Sequence, residues 1–484
     1  MAPAAASRWI VALACAAAFA CVLALPAGAS AAQVGVVTRD TFLTSPGTLS
    51  ALQQLRPPWV RDFLPWADVE TGPGRYDASV LSALDGALSR LPQGTRVIID
   101  VTGSPGWESG STDPNHPPAD PADYARFMRF LAGRFAGRVA AWEIWNEEDA
   151  SAFWSGAAIS ADAYTALLKD TYPAIKEVDP GATVLLGGLT GNDYTFLQQV
   201  YAAGGRGFFD AVGVHTDTAC DVISPYQFIR DPLASNAIDQ YAFLGYQSVH
   251  AVMSANGDGA KNVWMTELGW STDQGTCGSG QWSGQKAQGV TPADQATFLT
   301  QAYHCLAAVP YVPVALWFAL TDTPASNSYY GLMDASLNPK PSFAALQQEI
   351  AGGDQLSGGC GNFSGPSIRI LTPVANHYYS RSGPLAIRIT ASSPYKVREI
   401  KLLYDGQNVV RNFIHPGSQP VATLTAAMSW QHWKRLRAGR HTLIVQAVDA
   451  QGTIGSVSVP ITSRTNSRRP TRCVRASRRC SGRR

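Results

Sequence analysis

Charge is scarce in this 484-residue chain: 15% of its residues are Asp, Glu, Lys or Arg, while 45% are hydrophobic. So apolar a chain is not a disordered one and can bury a sizeable core. Several motifs are missing. There is no Cys-x-x-Cys pair, no H-E-x-x-H and no G-x-x-x-x-G-K-[ST], so nothing points to a structural zinc, a metalloprotease or a phosphate cradle, and no metal or cofactor is implied. G-x-S-x-G is absent too, and Gly103-Ser104-Pro105-Gly106 reads as a loop rather than a nucleophile elbow. No repeat period suggests a solenoid. Positive charge is missing where a nucleic-acid binder needs it. Residues 464–484 hold nine Arg and no acid, which leaves 29 basic against 36 acidic groups in residues 1–463. A nucleic-acid partner is therefore not expected.

What is present begins with an address. Arg8 precedes an apolar run from Trp9 to Leu25 and then Pro26-Ala-Gly-Ala-Ser-Ala-Ala32. A basic start, an apolar stretch and small residues describe a secretory signal peptide over 1–32, with a mature start near Gln33 and a secreted or cell-surface location. The competing reading is an uncleaved anchor, since the run sits near the lower length limit for a span. Beyond it stand Cys220, Cys277, Cys305, Cys360, Cys473 and Cys480. An even count in an exported chain favours disulfides.

From Gln33 to about residue 351, short β-branched runs alternate with amphipathic segments. Expected strands are Val34–Val37, Trp59–Phe63, Arg96–Val101, Val139–Trp145, Thr183–Leu189, Ala211–His215, Asn262–Glu267 and Val312–Leu320. Expected helices include Pro121–Phe135, Ala161–Val178, Ile238–Met253, Pro292–Ala308 and a closing one from Pro341 to Ile350. Eight such units predict an α/β fold, a (β/α)8 TIM barrel. A doubly wound open sheet comes second because no Gly-rich fingerprint follows the first strand. Residues 352–366 read as a Gly-rich linker. Residues 367–463 carry short alternating runs and the turn signal Asp405-Gly406, which predicts a small all-β sandwich. The Arg-rich 464–484 reads as a disordered tail.

Two strings carry chemistry: Trp142-Glu-Ile-Trp-Asn-Glu-Glu148, ending the fourth strand, and Val263-Trp-Met-Thr-Glu-Leu-Gly-Trp270, ending the seventh. In a barrel both emerge on the C-terminal face, from opposite sides of the mouth. Two carboxyls facing each other across a sugar are what glycosidic cleavage requires, one to protonate the leaving oxygen and one to attack or to activate water. Successive side chains on a regular strand alternate faces, so Asn146 and Glu147 can both serve the site only if the strand ends or bends there. Glu143 reads as a buried ion-pair partner and Glu148 as a solvated neighbour. Trp66, Trp107, Trp154, Trp270, Trp282 and Trp317 are candidates to stack on sugars or to fill the core.

These strings, with Gly103-Ser-Pro-Gly-Trp107, Trp66-Ala-Asp-Val-Glu70 and Gly331-Leu-Met333, give the chain a resemblance over roughly 33–350 to clan A retaining glycoside hydrolases. It is most similar to family 39, with family 5 a near neighbour. The resemblance implies Glu147 as general acid/base, Glu267 as nucleophile and Asn146 as ligand of the sugar 2-hydroxyl. It implies Arg61 as the arginine that keeps the nucleophile ionised, His215 as the histidine of a His-x-Tyr pair, and Trp317 as the floor of the sugar subsite. Asp217 stands where the family has Tyr, and Tyr226 is a candidate to supply the missing hydroxyl.

The resulting expectation is a secreted glycosidase acting on a poly- or oligosaccharide by double displacement, with no cofactor. The same residues also suit a catalytically inactive glycan-binding barrel at the cell surface, or a transglycosylase. Substrate contacts are expected from Asn146, Arg61, His215, Trp317, Trp107 and Trp270. Disulfides are expected between Cys220 and Cys277, Cys305 and Cys360, and Cys473 and Cys480. The C-terminal region resembles bacterial immunoglobulin-like accessory domains, in which Trp430 and Trp433 are core or sugar-binding residues. A monomer is expected, with the tail in electrostatic contact with anionic wall polymers.

Overall fold

The computed structural model describes residues 32–39, 45–218, 224–225, 238, 240–277, 284, 287–352, 366–404, 408–428, 433, 438–449 and 454–464. Eight strands form a closed, all-parallel barrel: β1 (Gln33–Thr38), β2 (Trp59–Pro65), β3 (Arg96–Thr102), β4 (Ala141–Asn146), β5 (Thr183–Leu189), β6 (Ala211–Thr218), β7 (Asn262–Trp270) and β8 (Val314–Trp317). Each pairs with its neighbours in sequence, and β8 closes on β1. The barrel fold is thus as expected from the alternation.

Helices follow the strands: α1 (Pro46–Leu55), α2 (Ala78–Arg90), α3 (Pro121–Arg134), α4 (Ala161–Val178), α5 (Tyr194–Ala202), α6 (Tyr246–Ala255), α7 (Pro292–Leu306) and α8 (Pro341–Ile350). Their starts are written in the sequence. Side-chain oxygens of Ser45, Asp77, Asp120, Ser160, Asp193 and Thr291 accept from first-turn amides of α1 to α5 and α7. Proline opens α1, α3, α7 and α8, where a missing N–H costs nothing. The expected helix from Ile238 instead begins at Tyr246. Ile238 exchanges hydrogen bonds with the Ser248 hydroxyl, and Phe243–Gly245 forms a 3-10 turn.

The strands present two apolar faces. Val37, Trp59, Ile98, Ala141, Leu185, Ala211, Trp264, Leu316 and Phe318 share one cluster. Trp59 of β2 meets Trp264 of β7 edge-on at 5.1 Å, a contact available only through the barrel interior. Their alternates Val36, Val60, Ile99, Trp142, Ile144, Val184, Val212, Val263, Met265 and Trp317 pack outward with the helices.

The C-terminal region is all-β: β9 (Ser367–Thr372), β10 (Tyr378–Ser380), β11 (Leu385–Tyr404), β12 (Asn408–Met428), β13 (Gly439–Asp449) and β14 (Ile454–Arg464). The order is β9-β11-β13-β14-β10, with β12 along β11. The alternating runs Leu385–Thr390 and Glu399–Tyr404, expected as separate strands, are halves of β11. Its first half takes β9 as neighbour, its second takes β13, and the register breaks between Ser392 and Val397. A separate apolar cluster that includes Ile389, Leu402, Trp433 and Val445 lies here, and the Trp433 indole donates to the Ser380 carbonyl at 3.0 Å. That places Trp433 in a core, not on a sugar-binding surface. Trp430, Asp405-Gly406, residues 1–31 and the tail beyond 464 lie outside the described residues. No helix among the described residues is long and apolar enough to cross a membrane.

Candidate active site

Arg61 organises the upper interior of the barrel. Fully buried on β2, it donates through Nε to Glu143 at 2.5 Å, through Nη1 to Glu267 at 2.7 Å, and through Nη2 to Asp100 at 2.6 Å and Asn146 at 2.9 Å. The fork of a guanidinium suits this role, because it holds several acceptors in fixed directions at once. Burial pulls its affinity for a proton down, but the charges of Glu143, Asp100 and Glu267 raise it further, so it stays cationic. Glu143 is therefore the buried ion-pair partner that its position suggested. Asp100 was not foreseen. It is fully buried, and burial raises its pKa well above the usual carboxylate range against the opposing pull of Arg61.

Two backbone irregularities bring the chemistry to the mouth. At the end of β4, Trp145 has φ 69°, and Glu147, the residue after the strand, has φ 46°, both in the left-handed region. Ile144 and Trp145 consequently both face outward, and Asn146 turns inward onto Arg61. This is the bend that the motif demanded. On β7, Val214 pairs with Met265 while His215 pairs with Glu267, so Thr266 is an extra residue. Such a bulge re-aims a strand, and here it brings Glu267 onto the same side as Trp264.

His215 on β6 joins the two carboxyls. Its Nδ1 lies 2.8 Å from Glu147 Oε1 and its Nε2 3.8 Å from Glu267 Oε1. Burial alone would lower its pKa, but the Glu267 charge and the hydrogen bond to Glu147 raise it to about 10. Burial raises the pKa of Glu267, opposed by His215 and Arg61. One oxygen of Glu147, one nitrogen of His215 and one oxygen of Glu267 all lie within 4.8 Å of one another. Those are also the atoms that would converge on a metal ion. The close approach of His215 has a steric condition: a Cβ at Gly188 would sit 1.8 Å from its Nε2. Asn146 accepts from Arg61 through Oδ1, which leaves its NH2 to donate elsewhere.

Glu147, Glu267, Asn146, Arg61 and His215 are thus brought together. The expected tryptophans are not. Trp270 and Trp317 are fully buried on the outer face of the barrel, 6.0 Å apart, and the Trp317 indole donates to the Tyr330 carbonyl at 3.0 Å. Beyond the bulge, Leu268 and Trp270 face the helices, and at the end of β8 it is the next residue, Phe318, and not Trp317, that belongs to the interior cluster. Trp107 stands on the loop after β3, donates to the Glu70 carbonyl at 3.0 Å and packs edge-on against Trp66. Trp66 and Trp154 are core residues.

Glu148, expected in solvent, is fully buried, and neither carboxyl oxygen has a hydrogen-bond partner. Burial raises its pKa well above the normal range. Room for it comes from Gly187, where a Cβ would approach Glu148 Oε2 to 2.4 Å. Cys277 is buried, its sulfur 3.5 Å from the Ala287 carbonyl, in a loop that the Thr276–Ala287 bridge closes, and its expected partner Cys220 lies outside the described residues. Cys305 is buried in α7 and is disulfide-bonded, as expected of it, to a cysteine outside the described residues. Cys220, Cys360, Cys473, Cys480, Tyr226, Trp282 and the Asp217 side chain lie outside the described residues.

The chain is therefore a (β/α)8 barrel with two carboxyls, an imidazole and a buried arginine converging at the C-terminal mouth. No protein-family model matches its sequence, and no curated protein matches it. Among solved structures it is similar to a family 39 glycoside hydrolase from the gut symbiont Bacteroides cellulosilyticus WH2. That match has 19% identity over 82% of this chain and 79% of the other, with a TM-score of 0.50. It is also similar to a monomeric β-xylosidase from Caulobacter crescentus CB15, at 13% identity over 89% and 94%, TM-score 0.50. At these identities the likeness establishes a shared fold, and function has to be argued from the site.

Proposed function

We propose that the protein is an exported retaining glycoside hydrolase, similar to family 39, that cleaves O-glycosidic bonds in a poly- or oligosaccharide. The observation that carries this reading is the pair Glu147 and Glu267, with carboxyl oxygens within 4.8 Å of each other. Retaining enzymes hold their carboxyls about 5–5.5 Å apart, whereas inverting ones leave about 6.5–9.5 Å for a water. Glu267, held by Arg61 and beside His215, attacks the anomeric carbon. The Glu147–His215 pair shares the proton that Glu147 delivers to the departing oxygen. In the second step Glu147 takes a proton from water, which releases the sugar from Glu267. The Asn146 NH2 is placed to donate to the sugar 2-hydroxyl. The all-β region serves as an immunoglobulin-like accessory module, and the Arg tail contacts anionic wall polymers by charge.

Glu147→Ala tests the reading. Hydrolysis of substrates with poor leaving groups is expected to fall about 10²–10⁴-fold. Aryl glycosides with good leaving groups still react, and azide restores turnover as a glycosyl azide. If the unmodified protein binds glycans but turns over no glycoside, the inactive barrel is the correct reading.

A further inference from the structure

Above Arg61 the inner wall of the barrel carries a cation that the chemistry just described does not use. Val37 on β1 pairs with Arg61, and Thr38 pairs with Asp62, so Arg39 stands level with Phe63, one inward step nearer the mouth. At about 3.3 Å per residue that step is roughly 7 Å. Arg39 is half-buried, and its guanidinium lies 5.3 Å from the centre of the Phe318 ring. It makes no ion pair with any described carboxylate. Arg61, by contrast, has all three guanidinium nitrogens held by an acid or an amide. Phe318, one residue past the end of β8, belongs to the interior cluster, and Phe63 of β2, level with Arg39, packs against that cluster with the Arg61 guanidinium 4.5 Å from its ring centre.

We infer that Arg39 is a specificity residue for an anionic saccharide: the enzyme takes glycans that bear a carboxylate or a sulfate on the ring bound at the mouth. The inference rests on the glycosidase reading above. A sugar ring offers an apolar C–H face that suits Phe318 or Phe63. A guanidinium packed on an aromatic ring is weakly hydrated and keeps its in-plane N–H donors for a planar or tetrahedral oxyanion. A neutral sugar would leave those donors without a partner in a half-buried place. An anion satisfies them with charge-assisted hydrogen bonds.

The test uses matched aryl glycosides that differ only at C6: the neutral sugar, its 6-carboxylate, the methyl ester of that carboxylate, and the 6-sulfate. The unmodified protein is expected to prefer one anionic member over its neutral counterpart, and the preferred arm tells carboxylate from sulfate. In Arg39→Met the anionic-to-neutral ratio of kcat/KM is expected to fall by roughly 10- to 100-fold. Arg39→Lys keeps part of the ratio, and added salt lowers it in the unmodified protein and in Arg39→Lys but not in Arg39→Met. Equal losses on both substrates, or a neutral preference in the unmodified protein, overturn the inference while leaving the glycosidase standing. If no glycoside is turned over, the glycosidase reading is the one that fails. Calorimetric binding of glucuronate, galacturonate and glucose 6-sulfate to the unmodified protein and to Arg39→Met then decides the inference: anion binding lost in the variant supports it, and binding that is absent or unchanged overturns it.

Discussion

The ends of β4 and β7 solve one problem in opposite ways. Each must present a carboxyl that strict alternation would misplace. β4 puts two consecutive side chains outward, Ile144 and Trp145, through a left-handed residue. β7 gathers Thr266 and Glu267 on one side through an inserted residue. Trp145 is anchored by its indole, which donates to the Phe153 carbonyl at 2.7 Å, and by edge-on contact with Trp154. Thr266 has no such anchor, and its buried hydroxyl is without a partner. One device is held by indole packing, the other by hydrogen bonds to Glu267, from the Thr216 hydroxyl to its carbonyl at 3.3 Å and from Arg61 to its carboxylate at 2.7 Å.

The largest effect expected from breaking the pair is chemical. Glu267→Gln removes the nucleophile, and kcat on any glycoside is expected to fall by about 10⁴-fold or more with no rescue by a better leaving group. Next is Trp145→Ala, which removes the packing that holds the β4 bend. Chemical denaturation is expected to show a loss of about 3–5 kcal/mol, together with a lower kcat. Trp317→Ala is expected to cost a similar amount of stability while leaving KM nearly unmoved. Phe318→Ala, on the inner face, raises KM instead. A Trp317 variant that weakened substrate binding without loss of stability would contradict the outward placement.

A smaller effect concerns pH. His215 has its pKa raised from 6.5 to about 10. A raised folded-state value means that its contribution to stability is fully present below about pH 6.5 and is lost as pH rises through 10. The unmodified protein is therefore expected to lose stability across that window relative to His215→Gln in thermal melts at stepped pH. Least of all, Thr266→Val replaces an unpartnered hydroxyl by a near-isostere, and stability is expected to shift by less than about 1 kcal/mol. A large loss there would mean that the bulge depends on its side chain after all.

Much of this was legible from residue order. The β-branched runs place all eight barrel strands, because a parallel barrel buries both faces of each strand. The Asn146-Glu147 and Glu267 strings mark the ends of two of them. The helices α1, α2 and α5 were not singled out, being short amphipathic stretches between stronger signals. Tryptophan orientation was illegible for a definite reason. A single left-handed residue or bulge reverses the parity of everything beyond it, so Trp270 and Trp317 face the helices while Phe318 faces the barrel interior. Glu148 misled because a carboxylate beside an active-site loop is ordinarily solvated, and only the recess at Gly187 in another strand reveals its burial.

The most direct test of the central claim, that Glu147 and Glu267 work as a retaining pair, is the stereochemistry of the first product. Proton NMR during hydrolysis of an aryl glycoside is expected to show release of the same anomer as the substrate. A 2-deoxy-2-fluoro analogue is expected to leave its sugar covalently on the peptide containing Glu267. Release of the opposite anomer, or a labelled protein whose adduct lies on another residue, would contradict the account.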